Sequence, residues 1–389
     1  MKGKAEDIGM KRLCSILLAL LLLLGACSGE ESKNGLPQEN LPIGFSGVIT
    51  MTRGTGKFAT AGELKNVGVF AYFTHGKFNE NTAIPNFMYN QLVEKQLDEG
   101  TWSYSPVKFW PDNSTTDKIS FFAYAPYVNE VENGYLSFQN EGTASGFPVL
   151  GYTVPIAVNN QIDFLAATPV MNQSNGNVTF KLHHTLTKVN VYIKSNDNTE
   201  GKSVTSFSIT GMKSGLLTYY NPTTDSDIGW KWTYPSADEK ESFTTGIISF
   251  QVPDTIMEEK KLLATFFLLP AGAGSKFNIS YQYTAKDSNN ALVVQTVSME
   301  NLFLPLTDNW ASGRAVSYTI GIARKAITVI PENGPVSWEE NAETETVIGT
   351  EAKQETVLDI SPEYSHSVMV LLSVGCLSLQ KKTKIKNPP

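Results

Sequence analysis

The feature that most constrains this chain is a period-two alternation of apolar and polar residues in short runs. Residues 188–194 show it most clearly, because Val189, Val191 and Ile193 are separated by single intervening residues. Successive side chains of a strand point to opposite faces, so this spacing predicts strands of sheets with one wet face. Similar runs occur at 67–73, 118–125, 177–182, 203–210, 262–269, 277–284, 291–299 and 315–322.

Helical patterns are sparse, because few segments carry apolar residues three and four apart without an interrupting Gly, Pro or Asn. The best candidate is 86–99, although its Val93 and Leu97 fit a loop equally well. Many short strands separated by turn residues are typical of β-sandwiches and partly open barrels. We therefore expect an all-β protein with few short helices.

An export signal precedes the strands. The basic pair Lys11 and Arg12 is followed by an apolar stretch that ends before Cys27, which is too short for the roughly 20 residues that span a bilayer. Residues 24–27, Leu-Gly-Ala-Cys, match a lipobox, so we predict that Cys27 is lipidated and becomes the mature N-terminus, anchored in the outer membrane. A core helix, or a secretory signal with a chance cysteine, fits this context less well. Residues 1–9 lack signal character, so translation starts at Met1 or Met10.

Composition divides the chain further. A polar, turn-forming stretch near 169–177 separates two strand-rich halves, and the sequence after 339 is acidic and Thr-rich before a late apolar run. The predicted segments are a signal peptide at 1–26, a flexible tether at 27–40, an N-terminal domain at 41–175, a C-terminal domain at 176–340, and an acidic linker with a C-terminal extension at 341–389.

Several classes of chemistry find no support. Cys14 and Cys27 lie in the signal region and Cys376 near the C-terminus, so no pair is available for a disulfide in the folded body. The net charge of -7 offers no basic face, so nucleic acid is not an expected partner. The adjacent His183 and His184 should point to opposite faces of a strand, one to the core and one outward, rather than converge on a metal.

Catalytic motifs are equally lacking, since the chain contains no HExxH, GxSxG or phosphate loop. Paired carboxylates for glycoside hydrolysis cannot be selected from the sequence, which leaves that chemistry unsupported. We therefore expect no cofactor, no metal and no enzymatic activity.

A dense aromatic group has two interpretations. Such residues are more often core than ligand platforms, because each buries ~150–250 Å², but exposed rings would form a sugar-binding surface. The group consists of Trp102, Tyr104, Phe109, Trp110, Phe121, Phe122 and Tyr124.

Two neighbouring segments, 102–111 (WSYSPVKFWP) and 118–126 (KISFFAYAP), resemble the signature of the fimbrillin-like (Mfa-like) lipoproteins of Bacteroidales. The similarity extends over about 42–338. Further matching segments, in the expected order, are 68–72 (GVFAY), 163–167 (DFLAA), 180–189 (FKLHHTLTKV), 268–272 (LLPAG) and 310–320 (WASGRAVSYTI).

The resemblance implies two tandem transthyretin-like β-sandwich domains, lipid-dependent transport to the cell surface and assembly into type V pili. In that family an arginine-specific protease removes the first strand, and a strand of an incoming subunit fills the groove. Unpaired backbone groups and apolar pockets at the vacated position make such β-strand addition favourable.

Residues 41–52 are the candidate first strand, followed by the candidate cleavage position Arg53-Gly54. Arg53 is equally well interpreted as an ordinary surface residue. Residues 326–330 are either a donor strand or the last strand, and the tail after Glu339 departs from the family pattern. The apolar residues of the candidate displaced strand are Ile43, Phe45, Val48, Ile49 and Met51.

Two functions follow from these features. The first is a structural or accessory subunit, in the stalk or at the tip, of a surface pilus assembled by donor-strand exchange and serving adhesion. Its partners would be other pilus subunits, the outer membrane through the lipid of the precursor, and a host or bacterial adhesion ligand. The alternative is a non-polymerising surface lipoprotein that binds glycan or host protein through its aromatic loops.

Overall fold

The structure is a computed structural model, and it describes ten ranges of the chain. They are 41–46, 64–96, 102–129, 134–138, 142–235, 239–256, 259–271, 275–305, 310–331 and 336–337.

Within these ranges the chain forms strands almost throughout, which confirms the all-β prediction, and its single helical element is a 3-10 turn at Val158–Asn160. The strands are β1 (Phe45–Ser46), β2 (Asn66–His75), β3 (Met88–Lys95), β4 (Trp102–Ser103), β5 (Asp117–Ala125), β6 (Leu136–Phe138), β7 (Val149–Thr153), β8 (Leu165–Ala167), β9 (Val170–Gln173), β10 (Val178–Thr179), β11 (Leu182–His184), β12 (Thr187–Ser195), β13 (Ser203–Met212), β14 (Ser214–Tyr219), β15 (Trp230–Thr233), β16 (Lys240–Gln251), β17 (Lys261–Leu268), β18 (Lys276–Lys286), β19 (Leu292–Phe303), β20 (Arg314–Ile322), β21 (Ile327–Pro331) and β22 (Val336–Ser337).

The strands pair into four larger sheets and one small one. Sheet A has the order β11-β8-β5-β2-β3-β4, with β9 also on β5, and sheet B has the order β15-β14-β7-β6. Sheet C has the order β17-β12-β20-β21, with β22 also on β20, and sheet D has the order β16-β13-β18-β19. The small sheet is the parallel pair β1-β10.

Sheet D shows the expected alternation of wet and dry positions. In β18 every second residue is buried, including Phe277, Ile279 and Tyr281, and the residues between them are half-exposed. The same alternation runs through β12. One face of each of these strands therefore packs on the core, as the period-two pattern predicts.

Sheet A departs from that prediction, because β2 and β5 are buried on both faces. Phe70 and Phe122 belong to a large core cluster shared with sheets B, C and D, whereas Val69 and Phe121 belong to a second cluster on the opposite face. All four side chains are at most 3% exposed. The one-wet-face prediction is wrong here because another layer, which includes β1 and β10, covers the outer face.

The helix candidate at 86–99 is also wrong over its described part, where Met88–Lys95 forms strand β3. Pairing with β2 and burial of Met88 and Val93 in the second cluster decide the conformation. Asn90 has a positive φ of 45°, which interrupts regular backbone there.

The stretch near 169–177, which the sequence marks as a turn-forming break, contains a strand, since β9 pairs with β5. Strand β14, from the second predicted domain, pairs with β7 from the first. The division at 175/176 into two sandwich domains stays a prediction.

Candidate strand-acceptor site

The first strand occupies a narrow place between two backbone segments. On one side the amide of Ile43 donates to the carbonyl of Lys108 (2.8 Å), and Pro42 forms an antiparallel bridge with Phe109. On the other side the amide of Val178, in β10, donates to the carbonyl of Gly44 (2.9 Å). The described part of the segment that carries β1 is therefore inserted between the Lys108–Phe109 backbone and β10.

Two side chains of this segment are buried against the outer face of sheet A. Ile43 is 2% exposed and Phe45 is 8% exposed. The ring of Phe45 stacks on Phe180 (centroids 5.7 Å apart, 16°) and meets the rings of Tyr104 (5.2 Å) and Phe121 (6.0 Å) edge-on. Burial of a Phe or Ile side chain contributes roughly 1.5–3 kcal/mol, so these two residues dominate the attachment of β1.

An apolar pocket adjoins Phe45. Its other walls come from the strands and loops around the outer face, and all are hydrophobic. They are Leu64, Val67, Val93, Trp102, Phe180 and Leu182. We call the place that holds Ile43 and Phe45, with this pocket and the rings of Tyr104 and Phe121, the β1 slot.

Tyr104 holds the start of the strand. Its hydroxyl donates to the carbonyl of Ile43 (2.9 Å) and accepts from the amide of Lys108 (3.2 Å). Burial raises the pKa of Tyr104, although the Lys108 hydrogen bond opposes this, so the hydroxyl stays protonated and able to donate. The indole of Trp110 donates to the carbonyl of Gly176 (3.0 Å), which fixes the chain just before β10.

The structure places two of the predicted site residues, Ile43 and Phe45, in the slot. The remaining predicted site residues lie outside the described residues, and their roles stay predictions. These are the lipidation site Cys27, the cleavage position Arg53 and Gly54, and the strand residues Val48, Ile49 and Met51.

Several residues of the slot are missing from the sequence prediction. Tyr104 and Phe180 belong to motifs that carry the family resemblance, but the sequence does not indicate that they hold β1. The run 177–182 is predicted as one strand, whereas it forms the separate strands β10 and β11. Its alternation nevertheless continues, because Val178, Phe180 and Leu182 are all buried. That continuity was the available signal for an apolar wall.

Most of the aromatic group is core rather than a ligand platform. Phe121, Phe122 and Tyr124 are fully buried and Trp110 is 6% exposed, whereas Trp102 and Tyr104 are half-buried around the slot. Phe109 is the exception, with 47% of its surface exposed beside the similarly exposed Val107. A sugar platform built on Trp102 and Trp110 together is therefore not available.

The histidine pair is divided between two environments. His184 is buried and its Nδ1 lies 2.9 Å from Oδ1 of the buried Asp163, whereas His183 is partly exposed with its Nε2 3.0 Å from the Thr168 hydroxyl. Burial raises the pKa of Asp163 against the opposing effects of His184 and Lys188. Burial, with the charges of Lys181 and His184, lowers the pKa of His183 to about 4.

In the part of the chain that the structure describes, no three His, Cys, Asp or Glu side chains are grouped to hold a metal ion. The same part contains no helix long and apolar enough to cross a membrane.

Comparison with known proteins agrees with this architecture. Fimbrium subunit Fim1C of Phocaeicola vulgatus is 26% identical over 85% of this chain and 97% of its own length. The crystal structure of a fimbrial protein from Bacteroides vulgatus superimposes with a TM-score of 0.57 at 22% identity, over 77% of this chain and all of that chain. That likeness concerns the fold alone.

The decisive match is to the fimbrillin-like family, whose profile covers residues 52–336, nearly three-quarters of the chain. It includes all of the motifs on which the resemblance was based and every described strand from β2 to β21, and it ends at the first residue of β22. The resemblance is thereby confirmed, and this chain belongs to the fimbrillin-like family.

Proposed function

We propose that this protein is a subunit of a cell-surface pilus that is assembled by exchange of β-strands. The observation that carries the proposal is the manner in which β1 is held. The segment that carries β1 buries the side chains of Ile43 and Phe45 in an apolar slot, and the described part of its backbone pairs with β10 over two residues. A strand whose side chains fill a slot at such a short pairing can be replaced by another strand with equivalent side chains.

The precursor in this proposal is an outer-membrane lipoprotein anchored through Cys27, with residues 27–40 as its tether. Cleavage at Arg53-Gly54 separates residues 27–53, which include the anchor and β1, from the body of the protein. Lipid and first strand then leave together, and the vacant slot receives a strand of a neighbouring subunit. The role is structural, with adhesion as its biological outcome and no reaction assigned.

The arginine content makes the cleavage step testable. Apart from Arg12 in the signal peptide and Arg53, the chain contains only Arg314 and Arg324. Arg53→Lys keeps the positive charge but removes the site of an arginine-specific protease. Arg314→Lys is the matched control, because it changes an exposed arginine at the start of β20.

The experiment expresses tagged chains in the native bacterium and separates shed fimbriae from outer membranes. We expect the unchanged chain and Arg314→Lys to appear in fimbriae with Gly54 as N-terminus, and Arg53→Lys to remain in the membrane at precursor size. Incorporation of Arg53→Lys into fimbriae to the same extent as the unchanged chain would exclude cleavage at Arg53 as a step in assembly.

The alternative, a surface lipoprotein that binds glycan or host protein without polymerising, is favoured by one observation. Phe109 and Val107 expose about half of their surfaces on the segment that adjoins β1. Glycan arrays probed with the unchanged chain and with Phe109→Ala test it, and equal signals from the two proteins would remove the support.

A further inference from the structure

We propose that Asn175 is a site of spontaneous chemical modification, at which the side-chain amide is lost and part of the protein acquires an isoaspartate in the turn between β9 and β10. The co-reactant is water, and the reaction is independent of strand exchange. The observations that carry the proposal are the exposure of the Asn175-Gly176 pair, its lack of hydrogen bonds, and the contacts of the residues that follow it.

The fold itself calls for these residue types in this turn. The chain leaves sheet A at Gln173, the last residue of β9, and pairs with β1 from Val178, the first residue of β10. Gly176 has a φ of 85°, which glycine adopts without the steric clash that other residues meet. Asn is common in turns because its side chain is short and polar. The turn therefore brings an Asn directly before a Gly.

The pair is open to reaction. Asn175 and Gly176 are both exposed, and apart from chain neighbours no heavy atom lies within 4 Å of the place that a Cβ of residue 176 would take. Among the residues that the structure describes, none accepts a hydrogen bond from the Gly176 amide and none pairs with the Asn175 side chain. The Gly176 nitrogen can therefore approach Cγ of Asn175 without breaking a hydrogen bond or displacing a side chain.

The first step releases ammonia. The Gly176 nitrogen loses its proton to the solvent and forms a bond to Cγ of Asn175. The bond between Cγ and the side-chain nitrogen breaks, and that nitrogen takes a proton from water and leaves as ammonia. A cyclic imide remains between Asn175 and Gly176.

Water opens the imide in the second step, and no oxidant or reductant is needed. Attack at Cγ breaks the new bond and gives aspartate, with the main chain unchanged. Attack at the main-chain carbonyl breaks the original peptide bond and gives isoaspartate, whose main chain runs through Cβ and Cγ. Overall one water is consumed, one ammonia is released, and the turn gains a carboxylate.

Isoaspartate adds a main-chain atom directly before two hydrogen bonds that position β10. The carbonyl of Gly176 accepts from the indole of Trp110 (3.0 Å), and the amide of Val178 donates to the carbonyl of Gly44 (2.9 Å). A longer turn displaces these groups from their partners, so we expect the pairing of β10 with β1 to open more often. Aspartate leaves the main chain as it is and should alter the pairing little.

Neighbouring asparagines lack this combination and provide internal controls. Asn177 is also exposed, but the next residue is the β-branched Val178, whose amide already donates a hydrogen bond. The side chain of Asn172 is held in place, because its Oδ1 accepts from the amide of Phe78 (2.6 Å). We therefore expect Asn175 to react while Asn172 and Asn177 remain intact.

The test incubates the full mature chain, purified without its lipid, in mildly alkaline buffer, in which a backbone amide loses its proton more readily. Peptide mapping by mass spectrometry follows the loss of ammonia at each asparagine, and an isoaspartate-specific methyltransferase measures the isoaspartate formed. The mapping separates residue 175 from the other Asn-Gly pairs, which begin at Asn34, Asn133 and Asn333. A synthetic peptide of residues 171–181 gives the rate in the absence of the fold.

Two variants separate the chemistry from its consequence. Asn175→Gln keeps an amide, but its longer side chain would have to close a larger ring and reacts more slowly. Asn175→Asp supplies the charge without the added main-chain atom. Hydrogen exchange at the Val178 amide measures the opening of the β10 pairing, and slow exchange in β18 shows that each variant is folded.

We expect Asn175 in the folded chain to react at a rate comparable with that of the peptide, and at least several-fold faster than Asn172 and Asn177. Incubation should accelerate exchange at Val178 several-fold in the unchanged chain and not in Asn175→Gln, and Asn175→Asp should exchange like the fresh protein. An Asn175 that stays intact in the folded chain while the peptide reacts would overturn the proposal. Equal acceleration in Asn175→Gln would overturn the assigned effect on β10.

Discussion

Two stacked phenylalanine pairs in this molecule have the same ring separation but very different surroundings. In the β1 slot, Phe45 stacks on Phe180 with centroids 5.7 Å apart, and in sheet D, Phe277 stacks on Phe207 at the same distance. Phe277 lies in the 11-residue β18, which pairs on both sides, with β13 and with the 12-residue β19. β1, of which the structure describes Phe45–Ser46, pairs with β10, which is two residues long.

The two ring pairs are similar, but the strands that carry them differ in how extensively their backbones are paired. A residue within a long, doubly paired strand can be released only when the whole sheet opens, so its contacts contribute to global stability. A residue in a short strand can be released by local opening, so its contacts determine how often that strand leaves. We therefore expect the ring pair in sheet D to stabilise the whole sheet, and the similar pair in the slot to determine how readily β1 opens.

Phe277→Ala should give the largest effect. Phe277 is fully buried, and Phe→Ala changes in cores cost about 3–5 kcal/mol. We expect this loss in the global free energy of unfolding, measured by urea denaturation. Ser280→Ala, on the half-exposed face of β18, is the control and should change stability by less than about 0.5 kcal/mol. Similar losses for both variants would mean that sheet D is not a cooperative unit.

Phe45→Ala removes a ring of the same size, but its effect should be local. We expect a smaller loss in global stability, about 1–2 kcal/mol, together with faster hydrogen exchange at the Val178 amide. Phe121→Ala is the matched control, because Phe121 belongs to the same cluster but lies in β5. Its replacement should therefore destabilise the whole protein. Equal global losses for Phe45→Ala and Phe121→Ala would make β1 an integral strand.

Acid should weaken the region around sheets C and D only below about pH 4. Lys202, which is fully buried, donates to Oδ1 of Asp197 (2.7 Å), and Arg324 and Thr199 also donate to this carboxylate. Partial burial raises the pKa of Asp197, but these hydrogen bonds outweigh it and lower the pKa to about 2.

Because the unfolded value is near 3.8, this stabilisation is complete above that pH and is lost as the pH falls to 2. The loss should be about 2 kcal/mol. Asp197→Asn keeps an oxygen acceptor for Lys202 and should abolish this part of the pH dependence in urea titrations. If the free energy of unfolding of Asp197→Asn falls with pH as steeply as that of the unchanged chain, other carboxylates cause the loss of stability in acid.

The neighbourhood of the slot should respond at a higher pH, through His183 in β11. Its folded pKa of about 4 lies below the ordinary value of 6.5, so folding favours the neutral ring. Stability is therefore full above about pH 6.5 and decreases as the pH falls toward 4. The loss should be on the order of 1 kcal/mol, since the side chain is partly exposed.

His183→Gln retains a group that can hydrogen-bond to Thr168 but does not titrate. Hydrogen exchange of β11 amides between pH 7 and pH 5 should accelerate in the unchanged chain beyond the intrinsic rate, and not in this variant. The same pH response in both chains would exclude His183 as its source.

The alternation of apolar residues predicts most of the strands because each is a local pattern, and residues 188–194 and 277–284 lie in strands as expected. The double burial of β2 and β5 depends on a segment distant in sequence, so a local pattern does not specify it. A signal was nevertheless present. Residues 67–73 and 118–125 have few polar residues between the apolar ones, which is typical of strands covered on both faces.

The candidate site was predictable only in part. Ile43 and Phe45 could be selected because alternation marks them and the family resemblance gives a first strand a role. Tyr104 could not be selected from the sequence. Its role depends on a hydrogen bond from its hydroxyl to the carbonyl of Ile43, 61 residues away in sequence. The sequence does not predict β10 as the partner of β1 for a related reason. The two residues of β10 pair in parallel with a segment that is distant in sequence.

Tyr104→Phe should give the smallest effect and the most specific one. It keeps the ring against Phe45 but removes the hydrogen bond to Ile43 and the acceptor for the Lys108 amide. A hydrogen bond of this kind contributes about 0.5–1.5 kcal/mol. We expect exchange at the Ile43 and Val178 amides to accelerate several-fold while the global free energy of unfolding is nearly unchanged. A matching loss of global stability would show that the Tyr104 hydroxyl supports the body of the protein and not the retention of β1.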